Sequence, residues 1–294
     1  MKTNYYKIGG HSLAVKFVDE ANDEKLIPSF APFRLEEKPE DLLFTITVDD
    51  HIEWQENGDE IGVFDCGGCD HGVYRMPDGG YQFTIHDVRN VLCSRMQSNV
   101  DFSVCQVSLF GDTWAQRNYG LNNALMMAYA FASAQMGTML MHASVIRCDG
   151  KGYLMTAPSG TGKSTHTRLW YDNIPGCDLM NDDNPIVRIV DDKVYIYGSP
   201  WSGKTPCYRN VKARLGAITR IDRAPENSVE KLPPIEAFAS FLPSCSSMKW
   251  DKDIFNAICT NVTKVIERVG IYTLHCLPNE EAARVCNSAI AIKD

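Results

Sequence analysis

The stretch "APSGTGKSTHTRLW", residues 157–170, is built for phosphate. Gly160 and Gly162 permit backbone conformations that a side chain would penalise, so the amides of Ser159, Gly160, Thr161 and Gly162 can turn inward around anionic oxygens. Lys163 adds a cation, Ser164 or Thr165 offers a hydroxyl to Mg²⁺, and the helix starting there points its positive end at the same place. Ala157 stands where the usual phosphate-loop pattern has its first glycine, a place that a small residue can take.

Two acids follow closely. Asp182 and Asp183 come 19 and 20 residues after Lys163, a gap that holds one short helix and one strand. Their strand is expected to end beside the loop, close enough for a carboxylate to share a metal with Ser164. Adjacent strand residues point in opposite directions, so one aspartate is expected to hold metal and the other to accept a proton from an attacking hydroxyl. Read alone, "NDDN" is also good turn chemistry. His142 lies one hairpin before the loop, where an isolated histidine in an apolar strand is commonly a satisfied core residue.

The elements that must position these groups are legible around them. A strand "MHASVIRC", a turn "DGKG" and a strand "YLMTA" lead into the loop; helix "KSTHTRLWYD" and strand "CDLMNDD" follow it. A second strand pair, "PIVRIV" and "VYIYG", comes next. Beyond "RLGAITRI" the chain reads as helix-rich, with helices near 234–243, 252–268 and 279–291 around a strand "IYTLHCL". Upstream, residues 1–113 carry short alternating runs such as "SLAVKFV", "LLFTITV" and "YQFTIHDV" between turn signals, and predict a mostly antiparallel β-rich domain. A connecting helix is expected over 114–138, and the chemistry over 139–294. The fold class is therefore α/β, α+β overall.

Composition narrows the functions. The 294 residues are 44% hydrophobic, enough for real cores. A net charge of −8 and no dense Lys/Arg run argue against nucleic acid as a partner. The N-terminus lacks the layout of a signal peptide, so the cytoplasm is expected. The apolar span 124–141 is broken by Ser133, Gln135 and Gly137 and reads as a buried helix rather than a membrane one. The eleven cysteines read mostly as reduced, buried, small hydrophobes. "CGGC", Cys66 to Cys69 with His71 beyond, reads as a tight turn in preference to half a zinc or redox site.

Taken together, "MHASV", "SGTGKST" and "NDD" resemble the HPr kinase/phosphorylase catalytic domain and its relative, the nucleotide domain of phosphoenolpyruvate carboxykinase. The 21-residue step from His142 to Lys163 is the spacing of the HPr kinase type. The resemblance covers roughly 139–220. It implies a mixed-sheet nucleotide-binding core and ATP as the ligand, with Mg²⁺, or Mn²⁺ in its place. Lys163 would bind phosphates, Ser164 with one aspartate would hold metal, and the other aspartate would be the base. His142 would face the transferring group or a second metal. "PWSGK" and "CYRN" fall where the kinase family places a loop with an arginine at the transferring phosphate, which makes Lys204 and Arg209 candidates for stabilising charge. The implied activity is γ-phosphoryl transfer to a hydroxyl, on a protein or peptide serine or on a small polyol or amino acid, in a chain that can form a homo-oligomer. A nucleotide-binding regulator without turnover and a partner-coupled ATPase are the alternatives.

Overall fold

In the computed structural model, residues 1–19, 21–65 and 69–291 are described. They divide into two units, Met1–Ser133 and the chain from Ala134 onward.

The first unit is one nine-stranded sheet with a helix on it. Its strands are β1 (Lys2–Ile8), β2 (His11–Phe17), β3 (Arg34–Leu35), β4 (Phe44–Val48), β5 (Asp59–Asp65), β6 (Asp70–Arg75), β7 (Tyr81–His86), β8 (Leu92–Ser98) and β9 (Val104–Leu109), in the order β3-β1-β2-β4-β9-β8-β7-β6-β5. Pairing is antiparallel except at β2/β4 and β4/β9, which are parallel. The sheet is thus mixed, where sequence alone predicts mostly antiparallel pairing. Helix α1 (Trp114–Ser133) lays Leu121, Leu125 and Tyr129 against this sheet, and the Tyr129 hydroxyl donates to Ile8 O at 3.1 Å. It packs as part of the first unit instead of bridging two domains. The apolar run expected as one helix ends at Ser133 because Gly137, at φ +69°, turns the chain into a strand. Strands β5 and β6 form the hairpin expected around "CGGC", with Asp65 opposite Asp70. Cys66 itself lies outside the described residues. Cys69 Sγ lies 2.9 Å from the Tyr119 hydroxyl.

The second unit holds β10 (Thr138–Leu140), β11 (Ala143–Cys148), β12 (Lys151–Thr156), α2 (Lys163–Asn173), β13 (Cys177–Asp183), β14 (Ile186–Val190), β15 (Lys193–Tyr197), β16 (Lys212–Arg223), β17 (Ser228–Lys231), α3 (Pro234–Phe241), α4 (Lys252–Ile266), β18 (Gly270–Cys276) and α5 (Glu280–Ile290). The sheet runs β10-β14-β15-β16-β12-β11-β13. Strand β16 is long enough to serve two neighbours along one edge. Its first residues pair antiparallel with β15, and Ala217–Arg223 pair parallel with β18. Its other edge pairs parallel with β12. Three parallel strands, β12, β16 and β18, therefore end on the same side, where open α/β sheets bind ligands.

Helices α2 and α5 cover one face of this sheet. Their apolar sides meet Ile146, Tyr153, Met155, Ile221 and Leu274, with Trp170 fully buried 5.2 Å from the Tyr153 ring. Burying each such aliphatic side chain contributes about 1.5–3 kcal/mol. Asp251 caps α4 by accepting from the amides of Asp253 and Ile254, and Asn279 caps α5 by accepting from Ala282. Cys148 and Cys177 face each other across β11 and β13 and are joined as a disulfide. Eight other cysteines among the described residues are free, as expected of small buried side chains. No helix among the described residues is long and apolar enough to cross a membrane.

Candidate active site

Strand β12 delivers the chain to the loop, and α2 takes it away. Gly160 has φ +76° and Gly162 φ +129°, left-handed conformations that favour glycine. Nothing lies within 4 Å of where a Cβ would sit on either. Gly162 caps α2 with no side-chain hydrogen bond, so the first amides of the helix face outward unclaimed by a cap. A helix end left in that condition suits an anion. Ser159 is exposed, and Thr161 N donates to Pro158 O at 3.2 Å in the turn that forms the loop.

Lys163 is buried at the start of α2. Its Nζ donates to Ala157 O at 3.0 Å and to His142 Nε2 at 2.8 Å. Ala157 thus serves the site through its carbonyl, which needs no glycine. Burial pushes the Lys163 pKa down, while Asp183 and Asp182 pull it back up. Neither direct partner of the ammonium is a carboxylate, so an arriving anion would supply a countercharge in direct contact.

His142 lies in the bend just before β11 rather than within the strand, and its amide donates to Ser244 O at 2.7 Å. Its ring is half-exposed, unlike a core histidine. Nε2 accepts from Lys163, and Nδ1 lies 3.2 Å from Asp183 Oδ1. The ring thus stands between the cation of the loop and the second acid. Asp183, His142 and Lys163 form one chain of contacts. Nε2 is engaged by Lys163, and Nδ1 faces the Asp183 carboxylate.

The two aspartates separate as strand geometry requires. Asp182 is 3% exposed; its Oδ1 accepts from Ser164 Oγ at 2.7 Å and its Oδ2 from Thr205 N at 3.3 Å. Asp183 turns to His142, with Asn184 Nδ2 donating to its Oδ2 at 2.9 Å. Its φ of +110° is a strained conformation for a residue with a side chain. Strand β13 does not lie beside the strand that feeds the loop, because β11 runs between them. Helix α2 closes that gap by crossing β11, where Ser144 Oγ meets Thr167 Oγ1 at 3.0 Å. Ser164 rather than Thr165 meets the carboxylate; Thr165 is exposed.

A segment after β15 is stitched onto the acid pair. Ser202 Oγ donates to Asp182 O at 2.8 Å, and Gly203 N donates to the same carbonyl. Lys204, between Gly203 and Thr205, therefore has its backbone at the site; its side chain is exposed, with no ion-pair partner among the described residues. Arg209 is not brought there. Its guanidinium donates to Asp178 Oδ2 at 2.8 Å and to Leu179 O, near the opposite end of β13, where Arg147 also grips Asp178 at 2.9 and 2.7 Å. This double pairing draws the arginine away from the phosphate loop.

Two contributors escape sequence reasoning. Asn181, fully buried, donates to Ser199 Oγ at 3.2 Å and Trp201 O at 3.0 Å and accepts from Asn184 N at 3.0 Å, which ties the aspartates to the 199–207 segment. It stands in the "NDD" motif, but its partners at 199 and 201 are tertiary, and nothing in the local sequence records them. Arg223, at the end of β16, donates to the carbonyls of Gly160 and Thr161. Nothing in "RIDRAP" marks it, because the contact spans 62 residues.

Among the described residues, no group of three His, Cys, Asp or Glu side chains could hold a metal by itself. The oxygens of Ser164 and Asp182 are hard donors of the kind Mg²⁺ takes when substrate phosphates and water complete its shell.

The fold is mixed α/β and strand-rich, with two mixed sheets. No family model matches the chain, and no curated protein matches it. Among solved structures it is similar to the Hpr(Ser) kinase/phosphatase from Coxiella burnetii, at 11% identity and a TM-score of 0.30, over 51% of this chain and 91% of that one. The likeness is distant and partial.

Proposed function

We propose that the second unit is an ATP- and Mg²⁺-dependent phosphotransferase that moves the γ-phosphoryl group to an acceptor hydroxyl, on a protein or peptide serine or on a small polyol or amino acid. One observation carries this reading: Ser164 with Asp182, and Lys163 with His142 and Asp183, meet at the open N-terminus of α2. The loop amides and Lys163 bind and orient the phosphates. Ser164 and Asp182 would hold Mg²⁺, whose charge offsets that of the phosphate oxygens when it is bound. Asp183 is oriented by His142 and Asn184 and a third exposed, which suits a carboxylate that takes the proton of an incoming hydroxyl. Lys204, between Gly203 and Thr205, would be the cation that follows the charge on the transferring group.

The test is to incubate the protein with γ-labelled ATP, Mg²⁺ and a fractionated cell extract, with Lys163→Ala alongside. The expected result is label in one acceptor fraction, reduced about 10- to 100-fold by the variant because charged hydrogen bonds to phosphate are lost. Label only in inorganic phosphate, or ATP bound without any turnover, would overturn the reading in favour of a hydrolase or a nucleotide-responsive regulator.

A further inference from the structure

We propose that Arg223 is the positioning residue that holds the phosphate loop in its anion-binding shape, an inference that rests on the nucleotide reading above. Thr156, the last residue of β12, pairs with Arg220, so Arg223 continues three residues past that point and stands level with the loop. It shares the strand face of Ile221, which packs in the core under α2. Its side chain rises on the same side of the sheet as the helix.

The contact is a fork. Arg223 Nη2 donates to Gly160 O at 2.7 Å, and Nε donates to Thr161 O at 3.1 Å. Two N–H groups fixed in one plane can satisfy two successive carbonyls, which a lysine ammonium cannot match. A trans peptide points its N–H opposite its C=O. Holding Thr161 O therefore turns the Gly162 amide away from Arg223. No side chain packs within 4 Å of the Cβ positions of Gly160 or Gly162, so this fork is the tether on a stretch of backbone that packing leaves open.

His142, Asp182 and Asp183 gather on the β11/β13 flank of β12, whereas Arg223 stands on the β16 flank, so the fork steadies the loop from the side away from the acids.

The test compares Arg223→Gln and Arg223→Lys with the unaltered protein and with Lys163→Ala, titrating Mg²⁺ with ATP, ADP and inorganic tripolyphosphate, and following hydrogen exchange across residues 158–165 without ligand. We expect Arg223→Gln to weaken all three about 10- to 100-fold, as loss of charged hydrogen bonds does, and to speed loop exchange. Arg223→Lys should regain part of the affinity but not the protection of the loop. Unchanged affinity and exchange in Arg223→Gln, while Lys163→Ala loses binding, would remove the role of Arg223 and leave the nucleotide reading standing. Failure of the unaltered protein to bind any of the three ligands would remove both. If Arg223→Gln does not fold, Arg223→Lys decides the matter by the same exchange measurement.

Discussion

Asp182 and Asp183 are neighbours in the chain with different partners, and that difference makes a sharp prediction. Asp182→Asn puts an amide where one carboxylate oxygen accepts from Ser164 Oγ and the other from Thr205 N. Its main effect should be loss of Mg²⁺-dependent ATP affinity. Asp183→Asn keeps the shape of the side chain beside His142 but cannot take a proton at neutral pH. It should bind ATP nearly as the parent does and lower turnover about 10²- to 10⁴-fold. Nucleotide titration and steady-state transfer rates separate the two, and equal loss of affinity in both variants would refute the division of labour. The strained φ of Asp183 belongs to the same account. A backbone held there carries Asp183 toward His142 while Asp182 faces Ser164.

At the scale of elements, α2 does more than present the loop. His166, one turn into the helix, is buried, and its Nε2 accepts from Trp170 Nε1 at 3.1 Å. Burial pushes its pKa down to about 4. The unfolded chain binds a proton on this residue near its ordinary value of about 6.5, so between those two values the unfolded state holds more protons and stability rises with pH. Stability from this group is complete above about pH 6.5 and lost as pH falls toward 4, a change of up to about 3 kcal/mol. Urea unfolding at pH 7 and pH 4.5 should show a steeper loss in the unaltered protein than in His166→Gln; parallel losses would mean the group is not the source. The same helix shows what can be read ahead of a structure. Its glycine-rich entry and the strand "CDLMNDD" are local signals, as are the Asp251 and Asn279 caps of α4 and α5, and these elements fall within a few residues of expectation. Strand β8, "LCSRMQS", is hidden by Arg95 and Gln97 on its partly buried positions, and β10 by its place at the end of the largely apolar span that begins in α1. The parallel pairing of β2, β4 and β9 depends on partners tens of residues apart, which no local pattern records. For the site the division is similar. Loop, lysine, histidine and acids are legible because residue type and spacing carry the chemistry. The displacement of Arg209 to Asp178 and the reach of Arg223 to the loop are tertiary pairings.

On the scale of the whole molecule, the proposed chemistry lies within the second unit, while the first is a nine-stranded sheet and helix with a core of its own. The covalent link between Cys148 and Cys177 gives the second unit a further property. It closes a ring of chain that contains β12, the phosphate loop and all of α2, with the exposed stretch Pro158–Gly160 on its perimeter. A protease that cuts this stretch opens the ring without releasing a fragment. The nicked protein should therefore migrate as a single species on a denaturing gel without reductant and as two after reduction; two species before reduction would show that the bridge had not formed. Cleavage at the loop would then leave both halves of the severed chain tethered, and a nicked molecule could pass for an intact one until its thiols are freed.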